Sequence, residues 1–186
     1  MGFATLSPVA AYDLALDGDD LDVGYFLLRD GPVTLYRRTE VLEAALAQLR
    51  ESAYHVVDVD ASAWTAETDI RNLGDALAFP DFRGNSLDAF QDHMHDVATH
   101  EHGTDRHATG TVLVLRAYDS FARHCPWPAR CVLSSFVHSA HVALLFGHRM
   151  ICLVQSNDPN VEFRELSVTG ARWNDAEVSF TSRHLS

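Results

Sequence analysis

The sequence predicts an α/β fold: a small parallel three-stranded sheet with flanking helices, extended by N- and C-terminal hairpins. Three short apolar runs, at 55–59, 111–115 and 150–154, are the predicted strands, and amphipathic helical patterns lie between them. The second run, TVLVL, is almost continuously apolar, which is typical of a parallel strand covered on both faces. Strands that alternate with helices along a chain favour a parallel sheet.

The region before the first of these strands is predicted to contribute a hairpin and one helix. The apolar runs at 23–28 and 33–37 flank an Asp-Gly pair at 30–31, and such a pair between two apolar runs indicates a hairpin turn. Apolar residues then recur at helical spacing, and Thr39 is the candidate N-cap of this helix.

Two helices are predicted between the first and second strands. Thr68 can cap the first, which ends before Pro80 because the residue before a proline avoids the helical conformation. Ser86 can cap the second, and the polar segment 99–109 after it is a predicted loop. The apolar stripe of the second helix must face the core, and it consists of Leu87, Phe90, Met94 and Val97.

The last part of the chain is predicted to hold a long helix and a terminal hairpin. The helix runs from Pro128 to the residue before Gly147, its predicted C-cap. After the third strand, 161–168 and 172–178 are the arms of the hairpin. No linker is long enough to divide the chain, so we expect a single domain over 1–186.

The charge of the chain is strongly negative, with 26 acidic against 14 basic residues and a formal net charge of −12. The excess lies in the middle, where residues 51–107 hold 12 acids and 3 arginines. Such a field repels phosphate backbones, so direct binding to nucleic acid is not expected. It favours association with a basic partner, although solubility alone is the ordinary consequence of a high net charge.

Simple features of the sequence disfavour several classes of protein. No run of about 18 apolar residues is present, so no membrane span or membrane partner is expected. The N-terminus has no basic stretch before its apolar residues, and three cysteines do not make a disulfide framework. We therefore expect a cytoplasmic protein. No nucleophile-elbow or phosphate-binding glycine motif occurs, so we expect no enzyme activity.

The second predicted helix carries two acids, Asp88 and Asp92, four residues apart. At this spacing both carboxylates project from one side of the helix, away from its apolar stripe, and Gln91 and His95 border the same surface. The like charges destabilise the helix by roughly 0.2–0.5 kcal/mol, and no arginine on the helix offsets them. The pair is therefore a candidate binding surface, with an ordinary solvated face as the alternative.

Residues 77–92, LAFPDFRGNSLDAFQD, resemble the signature segment of the barstar family, whose members are intracellular inhibitors of a small secreted bacterial ribonuclease. The shared features are a proline followed by an acid and an aromatic residue, a glycine, and a Leu-Asp-Ala sequence with a second aspartate after it. A weaker resemblance in the order of strands and helices implies a barstar-like core at about 54–155. The N-terminal extension is then 1–53 and the C-terminal extension 156–186.

The resemblance implies a stoichiometric protein inhibitor of the antitoxin or immunity type. Such an inhibitor binds a basic secreted ribonuclease, or a related toxin, one to one and blocks its active site with the acidic helix and the loop before it. Asp92 corresponds to the acid that takes the place of substrate phosphate, and Asp88 to a second interface acid. Phe82 matches an aromatic that packs on the enzyme's catalytic histidine, and Gly84 permits close backbone approach. The predicted partner-binding residues are Phe82, Arg83, Gly84, Asp88, Gln91, Asp92 and His95.

Four positions depart from the family pattern. Ser86 stands where the family often has Asn, and it is still a competent helix cap. Arg83 replaces a second aromatic and brings a positive charge into the predicted surface. Gln91 stands where the family frequently has tryptophan, and Val142 lies near the position of an acidic interface residue. The two central acids are kept while the periphery differs, so the expected partner is a different ribonuclease or another basic toxin. A barstar-like interaction scaffold that inhibits nothing is an alternative.

A histidine-rich stretch supports a competing hypothesis, a metal-binding module or metal-dependent hydrolase. Five of the 11 histidines lie between His93 and His107. The candidate ligands are Asp92, His93, Asp96, His100 and His102. However, His93 and His95 are two residues apart and do not share a helix face, and no HExxH motif occurs, so we expect no metal or other cofactor. A second set of candidate metal ligands consists of His124, Cys125 and Cys131. It lacks the second pair of ligands that a zinc motif has, so it does not predict a zinc site.

Overall fold

The computed structural model describes residues 23–83, 86–163 and 170–177. Within these ranges the strands are β1 (Val33–Tyr36), β2 (His55–Asp60), β3 (Gly110–Arg116), β4 (Arg149–Gln155) and β5 (Arg172–Trp173). The helices are α1 (Val23–Arg29), α2 (Thr39–Glu51), α3 (Asp69–Ala76), α4 (Leu87–Ala98), α5 (Tyr118–His124) and α6 (Pro126–Leu145). The strands form one sheet in the order β2-β3-β4-β1-β5, and every pair of neighbours is parallel.

The three strands that the sequence predicts are confirmed as β2, β3 and β4, which lie side by side. The predicted size of the sheet is wrong, because two further strands extend it to five within the described residues. β1 pairs with β4 along its whole length, from Val33 opposite Cys152 to Tyr36 opposite Gln155. β4 is therefore the middle strand, and its residues from Met150 onwards are all buried.

The predicted N-terminal hairpin is also wrong. Its first arm, 23–28, lies in helix α1, and its second arm is β1, which runs parallel to its neighbours. The Asp-Gly pair at 30–31 follows the end of helix α1 and does not form a turn between two strands. Gly31 follows α1 with a φ of +117° and donates its N–H to the Leu28 carbonyl at 3.0 Å. A glycine just past the last turn is a common helix ending, so this dipeptide is compatible with both structures.

The predicted C-terminal hairpin is replaced, where the region is described, by parallel pairing. Residues 164–169 and 178 lie outside the described residues. The described start of the second arm, Arg172–Trp173, is β5, and it pairs in parallel with β1. The Asn174 N–H continues this pairing by donating to the Leu35 carbonyl at 2.9 Å. The free edge of β1 supplies these hydrogen bonds, and a local turn signal carries no information about so distant a partner.

The sheet separates two hydrophobic cores. Along β3, Val112 and Val114 belong to the core shared with α1 and α2, whereas Leu113 and Leu115 belong to the core shared with α3 to α6. All four side chains are at most 2% exposed. Helices therefore cover both faces of the sheet, as the apolar run at 111–115 predicts.

The helix boundaries agree with the predicted signals in part. Ser86 caps α4, because its hydroxyl accepts a hydrogen bond from the Ala89 N–H at 3.3 Å. Thr68 precedes α3 as predicted, but its hydroxyl accepts from the Thr65 N–H at 3.0 Å and does not cap the helix. Thr39 is the first residue of α2 and not its cap. None of the helices in the described ranges is long and apolar enough to cross a membrane.

A buried histidine lies at the junction of α6 and β4. Gly147 adopts a φ of +74° just past the helix, as a C-cap glycine does, and His148 follows it with 1% of its surface exposed. The Nε2 atom of His148 has no hydrogen-bond partner among the described residues. Burial, and then the nearby His100 ring, whose centroid is 3.9 Å away, lower the pKa of His148 to about 3. The imidazole is therefore neutral in the folded protein at neutral pH.

We expect the protein to lose stability as the pH falls below about 6.5, the pKa of an unperturbed histidine. The unfolded chain then binds a proton at His148 that the folded chain excludes down to a pH of about 3. The free energy of unfolding should fall by at most about 1.4 kcal/mol per pH unit for this group, which urea unfolding between about pH 4.5 and 6.5 measures. His148→Gln should reduce the slope, and His138→Gln, at an exposed position of α6, should not. Equal slopes in the wild type and His148→Gln would contradict this expectation.

Candidate partner-binding site

Helix α4 carries most of the predicted partner-binding residues, and its apolar side sets its position. Phe90, Met94 and Val97 are at most 1% exposed and pack in the core between the sheet and helices α3 to α6. α4 lies against α6 and α3 in this layer. The apolar stripe predicted from the sequence is confirmed, and its burial turns the opposite side of the helix towards solvent.

Asp88 and Asp92 are exposed on that opposite side. Asp88 belongs to the first turn of α4, where the helix dipole favours an acid, and Asp92 lies one turn further on. No residue in the described ranges forms an ion pair with either carboxylate. Within those ranges, the two negative charges are therefore not compensated.

Arginines of the protein pair with acids at other places. Arg116, at the end of β3, donates to Asp58 through two nitrogens at 2.7 Å each and lies 2.7 Å from Glu43. Arg38, just before α2, pairs with Glu177 at 3.2 Å. These pairs join β3 to β2 and α2, and α2 to the C-terminal segment. They stabilise the fold and leave the negative charge of α4 in place.

Gln91 and His95 border the acidic surface, and their contacts differ. The Gln91 side-chain amide donates to the Ser135 hydroxyl of α6 at 3.3 Å. This bond joins α4 to α6. Gln91 is exposed, and it also helps to hold α4 against α6. His95 is exposed, and its side chain has no hydrogen-bond partner in the described ranges.

The loop before α4 places the Phe82 side chain against Phe79 and helix α3. The Phe82 ring is half-buried and meets the Phe79 ring edge to face, with centroids 5.5 Å apart. It also covers Gly74 of α3 so closely that a Cβ atom on Gly74 would overlap it. Arg83 is exposed, and Gly84 lies outside the described residues. Phe82 therefore anchors the loop to α3.

Three of the five candidate metal ligands lie together, although their spacing did not predict it. His93 and Asp96 are one turn apart on α4, and His102 lies in the loop that follows. His93 Nδ1 lies 3.1 Å from His102 Nε2, and Asp96 Oδ2 lies 3.4 Å from His102 Nε2 and 3.7 Å from His93 Nδ1. Across the described part of the chain, no other group of histidine, cysteine and acidic side chains is close enough to hold a metal ion.

The remaining candidate ligands lie apart from this cluster. Asp92 is on the exposed side of α4, and the His100 ring packs on the ring of His148. In the second set, a His124 ring nitrogen contacts the Ser120 carbonyl at 2.8 Å, and the set does not form a site in the described ranges. The sequence did not predict the cluster because it depends on the turn after α4. The spacing of residues along a helix does not show whether the following loop folds back against that helix.

Comparison with known proteins confirms the resemblance found in the sequence. Residues 54–141 match the family model described as Barstar (barnase inhibitor). The matched stretch begins just before β2 and ends within α6, so it includes α4 and the loop that precedes it. Of the elements that the structure describes, α1, β1 and α2 precede the match, and β4 and β5 follow it. No curated protein matches the chain.

We expect Gly74→Ala to destabilise the protein by about 1–3 kcal/mol, since the new methyl group would displace the Phe82 ring. Alanine is the better helix former by about 1 kcal/mol, so a loss of stability would come from the overlap. In the Phe82→Ala background the same change should cost less, or stabilise. Urea unfolding of the wild type, both single variants and the double variant measures the coupling. Additive effects would show that Phe82 does not rest on Gly74.

Proposed function

Because residues 54–141 are barstar-like, we propose that this chain is a stoichiometric ribonuclease inhibitor of the antitoxin or immunity type. It binds a basic secreted ribonuclease, or a related toxin, one to one and blocks the active site with α4 and the loop before it. One observation carries the proposal: Asp88 and Asp92 are exposed, and unpaired within the described ranges, on a helix whose other side is buried.

The chemistry of RNA cleavage explains why carboxylates suit this task. An enzyme that cleaves RNA must hold phosphate, so its active site presents cationic side chains. A carboxylate at Asp92 can occupy the place of the phosphate and accept charge-assisted hydrogen bonds from those groups. Asp88, one turn earlier on the same side of α4, reaches a second cation. In the described ranges, neither carboxylate has to leave an internal ion pair before it binds.

The packing beneath α4 keeps this surface in one conformation. Phe90 and Met94 are 1% exposed and form part of the buried side of the helix. The Ser86 hydroxyl caps the first turn, and the bond from Gln91 to Ser135 joins the helix to α6. A preorganised surface loses little entropy on binding, so more of the interaction energy contributes to affinity. This rigidity suits an inhibitor that must bind its target tightly.

The charge around α4 favours rapid association. Residues 51–107, which include the helix, carry 12 acids and 3 arginines. A basic enzyme is attracted to such a field, which raises the association rate and makes that rate fall with added salt. Arg83 is an exposed cation close in sequence to Asp88. A partner that places an acidic group against Arg83 would be preferred over a uniformly basic one, so this residue contributes selectivity.

The proposal includes the organisation of the chain and the place where it acts. A barstar-like core that ends at about residue 155 would contain β4, because this strand ends at Gln155. β4 is also the middle strand of the sheet. The N- and C-terminal extensions, 1–53 and 156–186, add β1 and β5 to the same sheet, which supports a single domain. We assign the protein to the cytoplasm, where it protects cellular RNA from the toxin, and we assign it no enzyme activity.

Asp92→Asn is expected to weaken inhibition by about 10- to 100-fold, because a hydrogen bond to a charged group contributes about 1.5–3 kcal/mol. The variant keeps the shape of the side chain and removes its charge. The matched control is Glu51→Gln, since Glu51 is an exposed acid at the end of α2, on the other face of the sheet. Both variants should keep the free energy of unfolding within about 0.5 kcal/mol of the wild type.

The measurement is a titration of RNA cleavage by barnase, the enzyme named in the family description, and by a panel of other basic ribonucleases. Inhibition that is complete at a one-to-one ratio supports the proposal. Binding without loss of cleavage would identify an interaction scaffold, and no binding to any enzyme of the panel would contradict the proposal. Equal inhibition by the wild type and Asp92→Asn would show that α4 is not the blocking surface.

A further inference from the structure

We propose that His93, Asp96 and His102 bind one divalent transition-metal ion, with Zn²⁺ as the expected occupant. The site does not depend on the proposed inhibition of a ribonuclease. Imidazole nitrogens suit Zn²⁺ and its neighbours in the transition series, and a carboxylate oxygen is a common third ligand. Two nitrogens and one oxygen leave the fourth position of a tetrahedron for water or another ligand.

The donor atoms have the separations that a tetrahedral ion requires. With metal–ligand distances of about 2.0–2.1 Å, neighbouring donors of a tetrahedron lie about 3.3–3.4 Å apart. The observed separations are 3.1 Å for His93 Nδ1 to His102 Nε2, 3.4 Å for His102 Nε2 to Asp96 Oδ2, and 3.7 Å for His93 Nδ1 to Asp96 Oδ2. An ion about 2.1 Å from all three atoms fits just above their plane, so the side chains need little movement.

The backbone after α4 explains how His102 reaches the helix. The His100 N–H donates to the Val97 carbonyl at 3.3 Å, and the Glu101 N–H donates to the Asp96 carbonyl at 2.9 Å. These two bonds define a Schellman ending, which requires a residue with positive φ after the helix. His100 is that residue, with a φ of +64°. The chain therefore reverses direction, and His102 lies beside α4.

Close packing holds this turn in place. Gly103 has a φ of +69°, and a Cβ atom there would lie 2.8 Å from the Val97 side chain and 3.0 Å from the Leu77 carbonyl oxygen. Only glycine fits both the conformation and the space. The residue before it, His102, is therefore held by the packing of the turn, so the ligand set exists before an ion binds.

The aromatic ring of Phe79 orients both histidines. It stacks on the His93 ring with centroids 4.9 Å apart and planes 17° apart, and it meets the His102 ring at a centroid distance of 6.0 Å. The side chains of His93, Asp96 and His102 are 22%, 31% and 23% exposed. The cluster is thus shielded by apolar packing on one side and open to an entering ion on the other, as the surroundings of a metal site usually are.

A shared proton is the alternative occupant of this cluster. One imidazole nitrogen can donate a hydrogen bond to the other, and Asp96 can accept from a protonated ring. That arrangement also brings the three donor atoms together. Metal and proton predict different responses to added zinc, and an experiment can therefore separate them.

The test uses the 186-residue chain without a histidine tag, treated with EDTA and titrated with Zn²⁺ by calorimetry. We expect one ion per chain. His102→Ala and Asp96→Asn should each weaken binding by at least about tenfold, because each removes one of three ligands. His95→Ala removes an exposed histidine from the same helix and should change the affinity less than about twofold, as a residue outside the ligand set does.

Thermal unfolding provides a second readout that does not involve ribonuclease inhibition. Zn²⁺ should raise the unfolding midpoint of the wild type and His95→Ala, and at the same zinc concentration it should raise that of His102→Ala and Asp96→Asn by less. Circular dichroism identifies a variant that fails to fold, and the other ligand variant then decides. Equal zinc binding by His95→Ala and His102→Ala would indicate adventitious binding by surface histidines. The absence of zinc binding would leave the proton-sharing pair, and either result would overturn the proposal.

Discussion

Burial of one side of α4 is the constraint on which the candidate site depends. Each fully buried apolar side chain of the size of Phe90 or Met94 contributes about 1.5–3 kcal/mol. The repulsion between Asp88 and Asp92, at roughly 0.2–0.5 kcal/mol, is much smaller. The helix therefore keeps its orientation although the acids are not compensated within the described ranges. This difference in magnitude allows a stable fold to present concentrated negative charge.

The sheet beneath this layer is completed by residues outside the barstar-like stretch. Residues 54–141 contain β2 and β3, whereas β4, which separates β3 from β1, comes later in the chain. The C-terminal segment is fastened by Glu177, whose carboxylate accepts a hydrogen bond from the Arg38 N–H at 2.9 Å and pairs with its side chain. β4 thus lies between β3, which belongs to the barstar-like stretch, and β1, which precedes that stretch in the chain.

Two proposed sites share helix α4 and the loop before it. The acids of the partner-binding surface lie on its exposed side, and His93 lies next to Asp92 in the chain with its ring turned towards the aromatic residues of the loop. Phe79 stacks on that ring, and Phe82 meets it edge to face at a centroid distance of 5.4 Å. The same aromatic residues therefore support the loop predicted to contact a partner and the cluster proposed to bind a metal.

The sequence by itself determined the strands β2, β3 and β4, the apolar stripe of α4 and the exposure of Asp88 and Asp92. Periodicity along one element decides which of its sides is buried, so these features are local. Only the tertiary structure decided that 23–28 is helical, that β1 and β5 pair in parallel, and that His102 joins His93 and Asp96. An Asp-Gly pair fits both a hairpin and a helix end, and strand pairing and loop return depend on contacts between distant residues. Spacing along a single element carries no information about those contacts.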